Sequence, residues 1–230
     1  MEFVHKTIRI KPLDDCETLA ELGQYALQVV YNHCLGEFNR SWQTVEDYSR
    51  RDVTEEEFLK NYLWAISVSG FSARVVTVKF DSLWQAYGLA DGLGNFVPRN
   101  GQTFSKEAVF EVWKNHAKFK AMSDTCAHIN SLGWEDFHNY YLKFKSPVAL
   151  QRLPYMGPAL SQHVARNIGN VDCVKPDKHV VRLSKKFACG QQGHSVVDFV
   201  QDVKKATSEL KDWPNGKVDM LIWYAASLIR

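Results

Sequence analysis

The stretch that decides the fold is SPVALQRLPYMGPALSQHVARNIGNVDCVKPDKHVVRLSKKF, residues 146–187. Ser146 can cap a short helix that begins with a proline, because the N–H that proline lacks is not needed at the first position. After a tight turn, Pro158 begins a second helix, and Gly169 ends it. The segment 146–169 therefore predicts a helix, a hairpin turn and a second helix.

The hairpin can bind phosphate through its backbone. The first N–H groups of a helix have no acceptor within the helix, and such groups bind anions. We expect the N–H groups of Gly157 and of the residues just after it to be unpaired. Twenty residues beyond Gly157, Asp177 opens another helix within the segment 174–187.

The hairpin and the aspartate together resemble the helix–hairpin–helix DNA glycosylase superfamily, which includes endonuclease III and the 3-methyladenine DNA glycosylases. One matching motif is Leu-Pro-x-aliphatic-Gly, here LPYMG at 153–157, and the other is the segment around the Asp, here PDKHVVR at 176–182. Helical spacing along the chain predicts an all-α fold of about ten helices. The resemblance implies that residues 1–230 form one glycosylase unit of two helical lobes. The hairpin would lie on one rim of the cleft and Asp177 at its mouth.

By this resemblance, Asp177 takes the place of the catalytic aspartate. Breaking an N-glycosidic bond puts positive charge on the sugar, and a nearby carboxylate stabilises that charge and orients the attacking water. The reacting atom is inaccessible inside a duplex, so the nucleotide must first be flipped out. Without the hairpin upstream, Asp177 would be interpreted as an ordinary helix-start residue.

The position two residues after the hairpin glycine distinguishes two kinds of glycosylase. Members with lyase activity carry a lysine there, which acts as a Schiff-base nucleophile. This chain has Ala159 instead, so the resemblance implies a monofunctional hydrolase that leaves an abasic site. It also implies a monovalent cation on backbone carbonyls near Leu153 and Met156, which no side chain reports.

Positive charge is concentrated around these motifs. The net charge is only +2, but residues 141–190 carry nine Lys or Arg against two acids, which gives +7 there and −5 elsewhere. A phosphate-binding segment has this character, although a solvated helix surface is the better explanation for any single lysine. We predict that double-stranded DNA is contacted by Phe71, Tyr155, Gly157, Ala159, Lys175, Lys178, Arg182, Lys185 and Lys186.

Upstream features leave alternatives open. Phe71 follows a helix that starts with a capping box of Thr54 and Glu57. In the superfamily, a side chain at the matching break fills the gap left by the flipped nucleotide; Phe71 is either this wedge or a core aromatic. The loop 88–104 is either part of a base pocket or a surface insertion, and residues 1–12 are either a strand or an extended arm.

An aromatic-rich segment precedes the hairpin at 134–144. Its five aromatic side chains could stack on bases, but an aromatic stripe is more often core, and we predict core. The segment comprises Trp134, Phe137, Tyr140, Tyr141 and Phe144.

Cysteine usage and hydropathy narrow the class of protein. The five cysteines are scattered and include no C-x-x-C pair, which indicates reduced thiols and no ligand set for zinc or an iron–sulfur cluster. No apolar run approaches 18 residues, and residues 1–12 do not resemble a signal peptide. We therefore expect a cytoplasmic monomer with no cofactor beyond the monovalent cation.

The excised base is open at this stage. Alkylated purines, deaminated or mismatched pyrimidines, and hypermodified phage bases all fit, so the role is either DNA repair or antiviral defence. A hypothesis from a different class is a non-catalytic helix–hairpin–helix module that only binds DNA. The aspartate at 177 argues for the enzyme.

Overall fold

The computed structural model describes residues 11–90, 96–97, 104–187 and 195–228. Within these ranges the chain is all-α, and no strand forms in the part that the structure describes; an isolated antiparallel bridge joins Ala90 to Phe96. Twelve α-helices are present there, rather than about ten. They are α1 (Leu19–His33), α2 (Leu35–Ser49), α3 (Glu55–Val68), α4 (Ala73–Ala86), α5 (Lys106–Val112), α6 (His116–Leu132), α7 (Trp134–Tyr141), α8 (Pro147–Leu150), α9 (Pro158–Asn167), α10 (Lys178–Phe187), α11 (Val196–Ala206) and α12 (Asn215–Leu228).

Two short 3-10 helices complete the described elements, at Leu13–Asp15 and Ser208–Leu210. Most of the N-terminal segment 1–12 and of the loop 88–104 lies outside the described residues, as does Cys189. The other four cysteines are buried and form no disulfide bond among the described residues. Among the described residues, no helix combines the length and the hydropathy that crossing a bilayer requires.

The chain divides into two compact units. One unit comprises residues 1–47 and 170–230, and the other comprises residues 48–169. Asp177 belongs to the first, which we call the aspartate unit, and the hairpin belongs to the second, which we call the hairpin unit. The assignment of residues 1–230 to one glycosylase unit stays a prediction.

The aspartate unit is built around α1, α10, α11 and α12. Apolar side chains from these helices form one continuous core, in which α1 packs against both α11 and α12. Gly23 is required for this packing, because a Cβ at that position would lie 2.1 Å from Oγ1 of Thr207. A capping box of Ser195 and Asp198 begins α11.

The hairpin unit is built around α3. The predicted capping box is present, with Thr54 accepting from the N–H of Glu57 and the Glu57 carboxylate accepting from the N–H of Thr54. An almost fully buried stretch of α3 follows, and it packs against α4, α6 and α9. Consequently α3 supports both the hairpin and the turn that carries Phe71.

The aromatic segment 134–144 is only partly core. Phe137 and Tyr141 are buried, as predicted, but Tyr140 is 57% exposed and Phe144 is 81% exposed, so the prediction is wrong for these two. Phe137 and Tyr141 are one turn apart and share the inward stripe of α7, whereas Tyr140 lies beside that stripe and Phe144 follows the end of the helix.

Candidate nucleic-acid interface and the aspartate at 177

The hairpin has the predicted order of helix, turn and helix. α8 is a single turn that packs against α9, and α9 begins at Pro158 with Gly157 as its N-cap residue. Within the turn, the N–H of Met156 donates to the carbonyl of Leu153 at 3.2 Å. Ser146 occupies the N-cap position of α8, but its side chain makes no capping hydrogen bond to the described chain, so that part of the prediction is wrong.

The unpaired backbone donors lie slightly further along than expected. The N–H of Gly157 donates to the carbonyl of Tyr155 at 3.1 Å, because the turn closes on itself there. The prediction that this N–H is unpaired is therefore wrong. Pro158 has no N–H, and the N–H groups of Ala159 and Leu160 have no acceptor among the described residues. These two groups are the ones that an anion can reach at the start of α9.

Two residues of the turn, Gly157 and Tyr155, differ from what the fold alone requires at their positions. Gly157 has an ordinary φ of −69°, and a Cβ there would meet nothing within 4 Å, so the fold does not require glycine. The close approach of a bound nucleic-acid backbone would require glycine at this position. Tyr155 has a φ of +64° and a ring that is 42% exposed, which costs about 1–2 kcal/mol of backbone strain for a side chain other than glycine.

A buried tyrosine supports the hairpin from behind. The hydroxyl of Tyr62, on α3, donates to the carbonyl of Pro154 at 2.6 Å and lies 3.3 Å from the carbonyl of Ala121. Its ring is fully buried, and burial raises the pKa of the phenol well above its usual range. The turn is therefore anchored to the core by a neutral donor.

The turn between α3 and α4 presents Phe71. Gly70 takes a φ of +77°, and the Phe71 ring is 47% exposed, so it is not a core aromatic. The ring packs edge-on against Trp113, with centroids 4.8 Å apart, and the ammonium of Lys118 lies 4.3 Å from its centroid. An exposed aromatic ring on a short turn is a side chain that can enter a base stack.

Asp177 is the N-cap residue of α10. Its Oδ1 accepts from the N–H of His179 at 2.9 Å, and its Oδ2 lies 3.7 Å from Nζ of Lys175. The side chain is 17% exposed. The carboxylate thus has a fixed orientation, with one oxygen on the backbone and the other beside an ammonium group.

The segment leading to Asp177 is held by α12. The N–H of Gly216 donates to the carbonyl of Val171 at 2.8 Å, and a Cβ on Gly216 would lie 2.5 Å from that oxygen. The backbone N–H of Lys175 donates to Oδ2 of the buried Asp219 at 3.1 Å. Sequence reasoning missed Asp219; an acid among the apolar residues of α12 was the signal that could have indicated it.

His179 is half-buried beside the aspartate. Burial lowers the pKa of its imidazole below the usual value, although the Asp177 charge opposes this shift. Nδ1 of His179 is buried and has no hydrogen-bond partner among the described residues. The ring is therefore mainly neutral at neutral pH, which fits a structural neighbour of Asp177 better than a proton donor.

The predicted DNA-binding cations of α10 fall into two groups. Arg182 pairs with Asp14 at 2.7 Å, and the ammonium of Lys186 donates to the carbonyls of Asp14 and Cys16, so both stabilise the aspartate unit. Lys178 and Lys185 are exposed. Part of the positive charge in the sequence is thus used within the fold, and part is open to phosphates.

Comparisons with protein-family models, with curated proteins and with solved structures find no match to this chain. Two local arrangements in the structure bear on the function. One is the hairpin and the Phe71 turn in the hairpin unit, and the other is Asp177 with its neighbours in the aspartate unit.

Proposed function

We propose that the protein is a monofunctional DNA glycosylase with the two-lobed helix–hairpin–helix fold, which flips a modified base out of duplex DNA and hydrolyses its N-glycosidic bond. The observation that carries this proposal is the geometry of Asp177. A carboxylate oriented by a backbone N–H, twenty residues beyond a hairpin with unpaired N–H groups, has the components that such a reaction needs.

The proposed reaction uses Asp177 as an electrostatic and positioning group. The bond between the sugar C1′ and the base nitrogen breaks, and its electron pair leaves with the base. The Asp177 carboxylate stabilises the positive charge that develops on the sugar. Water then adds to C1′ under the guidance of the carboxylate, and the proton that it releases balances the negative charge of the departing base.

The proposed DNA contacts come from both units. Backbone N–H groups of Ala159 and Leu160 hold a phosphate that approaches closely at Gly157, and Lys178 and Lys185 add long-range attraction. Phe71 fills the gap in the base stack. A monovalent cation on the Leu153 and Met156 carbonyls fits this proposal. The Leu153 carbonyl accepts from the N–H of Met156 and keeps a second lone pair for the cation.

Ala159 in place of a lysine supports a monofunctional enzyme, without abasic-site lyase activity. The preferred substrates are an alkylated purine or a hypermodified phage base, which correspond to DNA repair and to antiviral defence. The enzyme would act in the cytoplasm as a monomer, and described cysteines that form no disulfide bond with one another fit such a reducing compartment.

The activity is tested with a panel of labelled duplexes carrying alkylated, deaminated, mismatched or phage-modified bases. Released base is measured directly, and abasic sites are cleaved afterwards with alkali. We expect release from one class of duplex and no borohydride-trapped adduct, because no amine occupies position 159. A trapped adduct would overturn the monofunctional assignment.

One observation favours the non-catalytic alternative, in which the protein only binds DNA. Oδ1 of Asp177 already caps α10, and a cap needs no chemistry. Tight, salt-sensitive duplex binding without base release from any member of the panel would support this alternative.

The binding half of the proposal is tested separately. Lys185→Gln removes an exposed cation and should lower the slope of log K against log salt by about 1, with an unchanged melting temperature. Lys186→Gln is the matched control, because it should lower the melting temperature by releasing the carbonyls of Asp14 and Cys16. An unchanged salt slope in Lys185→Gln would show that this charge is only solvated surface.

A further inference from the structure

Lys118 is a buried cation that the proposed reaction does not use. It lies near the start of α6 and is 5% exposed, although lysine is rarely buried without partners. Its ammonium donates to the carbonyls of Ser67 at 2.9 Å and of Ser69 at 2.7 Å, at the C-terminal end of α3. Burial lowers the pKa of Lys118 to about 8, so the group is still mostly charged at neutral pH.

The same ammonium also faces two aromatic rings. It lies 4.3 Å from the centroid of Phe71 and 5.6 Å from that of Trp113. An ammonium has three N–H groups, of which two serve the carbonyls, and the remaining positive charge is directed toward the rings. Lys118 thus joins the end of α3, the turn and the exposed ring of Phe71.

These contacts of Lys118 restrict the conformations that the turn could otherwise adopt. Gly70, immediately before Phe71, has a φ of +77°, and a Cβ there would meet nothing within 4 Å, so packing does not hold the backbone at this point. Phe71 is also half-exposed. A ring that enters a base stack costs less conformational entropy if it is already held in place before binding.

We propose that Lys118 is the positioning residue for Phe71, holding the turn so that the ring can enter the base stack where a nucleotide has been flipped out. The inference rests on the proposed function, because it assigns Lys118 a role in the same DNA contact. Lys118 does not touch DNA and acts through Phe71.

Lys79 provides a matched control. Its ammonium donates to the carbonyl of Val112 at 3.1 Å, at the end of α5, and lies 5.9 Å from the centroid of Trp113. It therefore has the same kind of contacts as Lys118, a helix-end carbonyl and the Trp113 ring. Unlike the ammonium of Lys118, that of Lys79 is not placed over the Phe71 ring.

The test compares Lys118→Met and Lys79→Met in affinity for a duplex containing a tetrahydrofuran abasic-site analogue and for the intact duplex. We expect Lys118→Met to lose about tenfold of its preference for the abasic duplex, and Lys79→Met to keep it. The decisive measurement is the double mutant. In a Phe71→Ala background, Lys118→Met should cause no further loss, because the group through which it acts is absent.

An equal loss with and without Phe71 would show that Lys118 only stabilises the fold. If Lys118→Met does not fold, Lys118→Arg and Lys118→Gln replace it: both keep a donor for the carbonyls, and only Arg keeps the cation beside the ring. Retained preference in Arg with lost preference in Gln supports the proposal, and any other pattern overturns it.

Failure of this inference can be distinguished from failure of the proposed function. A Phe71→Ala protein with unchanged preference for the abasic duplex would overturn both the wedge role and the role of Lys118. Base release by the wild-type protein tests the glycosylase itself, without a substitution at either residue.

Discussion

Two turns of the hairpin unit present an aromatic ring to solvent in different ways. The turn after α3 exposes Phe71, and the hairpin turn exposes Tyr155. Each contains a residue with positive φ, but in the first it is Gly70, beside the ring-bearing residue, and in the second it is Tyr155 itself. The Phe71 turn is therefore relaxed in its backbone, whereas the hairpin turn is strained.

The two turns also differ in their anchors. A charged group, the ammonium of Lys118, holds the carbonyls of Ser67 and Ser69 in front of the first turn. A neutral group, the hydroxyl of Tyr62, holds the carbonyl of Pro154 in the second. The anchored carbonyls and the anchors lie far apart in the sequence, so each turn depends on the folded core for its shape. An exposed aromatic ring can thus be presented on a relaxed or a strained backbone, provided that a buried donor holds the turn.

The largest expected effect on stability within this comparison comes from the hairpin anchor. Tyr62→Phe removes the hydroxyl and leaves the partly buried Pro154 carbonyl without its donor, which should lower the free energy of unfolding by about 1–3 kcal/mol. Because the turn is loosened, affinity for duplex DNA should also fall. Urea unfolding and a DNA titration measure the two effects.

Tyr141→Phe is the control for this variant. The Tyr141 hydroxyl is hydrogen-bonded to Nε2 of His128 at 2.9 Å, and not to a carbonyl of the hairpin turn, among the described residues. We expect a loss of stability with unchanged DNA affinity. Equal losses of affinity in both variants would mean that the Tyr62 anchor has no particular role in DNA binding.

A smaller effect should follow from exchanging the backbone chemistry of the two turns. Tyr155→Gly relieves the positive φ and should raise the free energy of unfolding by about 1 kcal/mol, while removing a ring that can contact DNA. Gly70→Ala should lower it by about 1 kcal/mol, and the cost is backbone strain alone because the site is open. A loss of stability in Tyr155→Gly would contradict the account of strain in the hairpin.

The smallest change in stability is expected for Gly157→Ala. Its φ is ordinary and its surroundings are open, so the free energy of unfolding should stay within about 0.5 kcal/mol. Affinity for DNA should nevertheless fall about tenfold, the value of one hydrogen bond to a charged group, because the Cβ obstructs a closely approaching phosphate. Unchanged affinity would show that the hairpin does not contact DNA at Gly157.

Gly169→Ala is the contrasting control. There φ is +105° and a Cβ would lie 2.4 Å from backbone atoms of Tyr48 and Ser49, so the fold requires glycine. This substitution should cost stability of roughly 4 kcal/mol or more. The pair separates a glycine that the fold needs from one that only a ligand would need.

The parts of the fold that were predicted from the sequence are those with local signals. The all-α class, the Thr54–Glu57 capping box and the start of α10 at Asp177 depend on residues within one helical turn of each other. The hairpin order was predicted for the same reason. Such local signals could not show that the N–H of Gly157 donates to the carbonyl of Tyr155.

The residues that sequence reasoning missed act over long separations. Lys118 binds a carbonyl 51 positions away, Tyr62 binds one 92 positions away, and Asp219 accepts from an N–H 44 positions away. Lys118 could have been noticed because it shares a helical stripe with the buried residues of α6, where a lysine is unexpected. Its partners could not have been identified before the fold was known.

Whether the Asp177 carboxylate promotes base release is decided by measuring single-turnover base release by Asp177→Asn alongside equilibrium DNA binding. Asparagine keeps the shape and can still accept from the His179 N–H, so α10 should remain capped. Asp172→Asn, which removes an exposed acid from the segment leading to Asp177, is the control. We expect Asp177→Asn to bind DNA as well as or better than the wild type and to release base about 10²–10³-fold more slowly, with Asp172→Asn unchanged. Base release by Asp177→Asn at the wild-type rate would contradict the account and leave Asp177 as a helix cap.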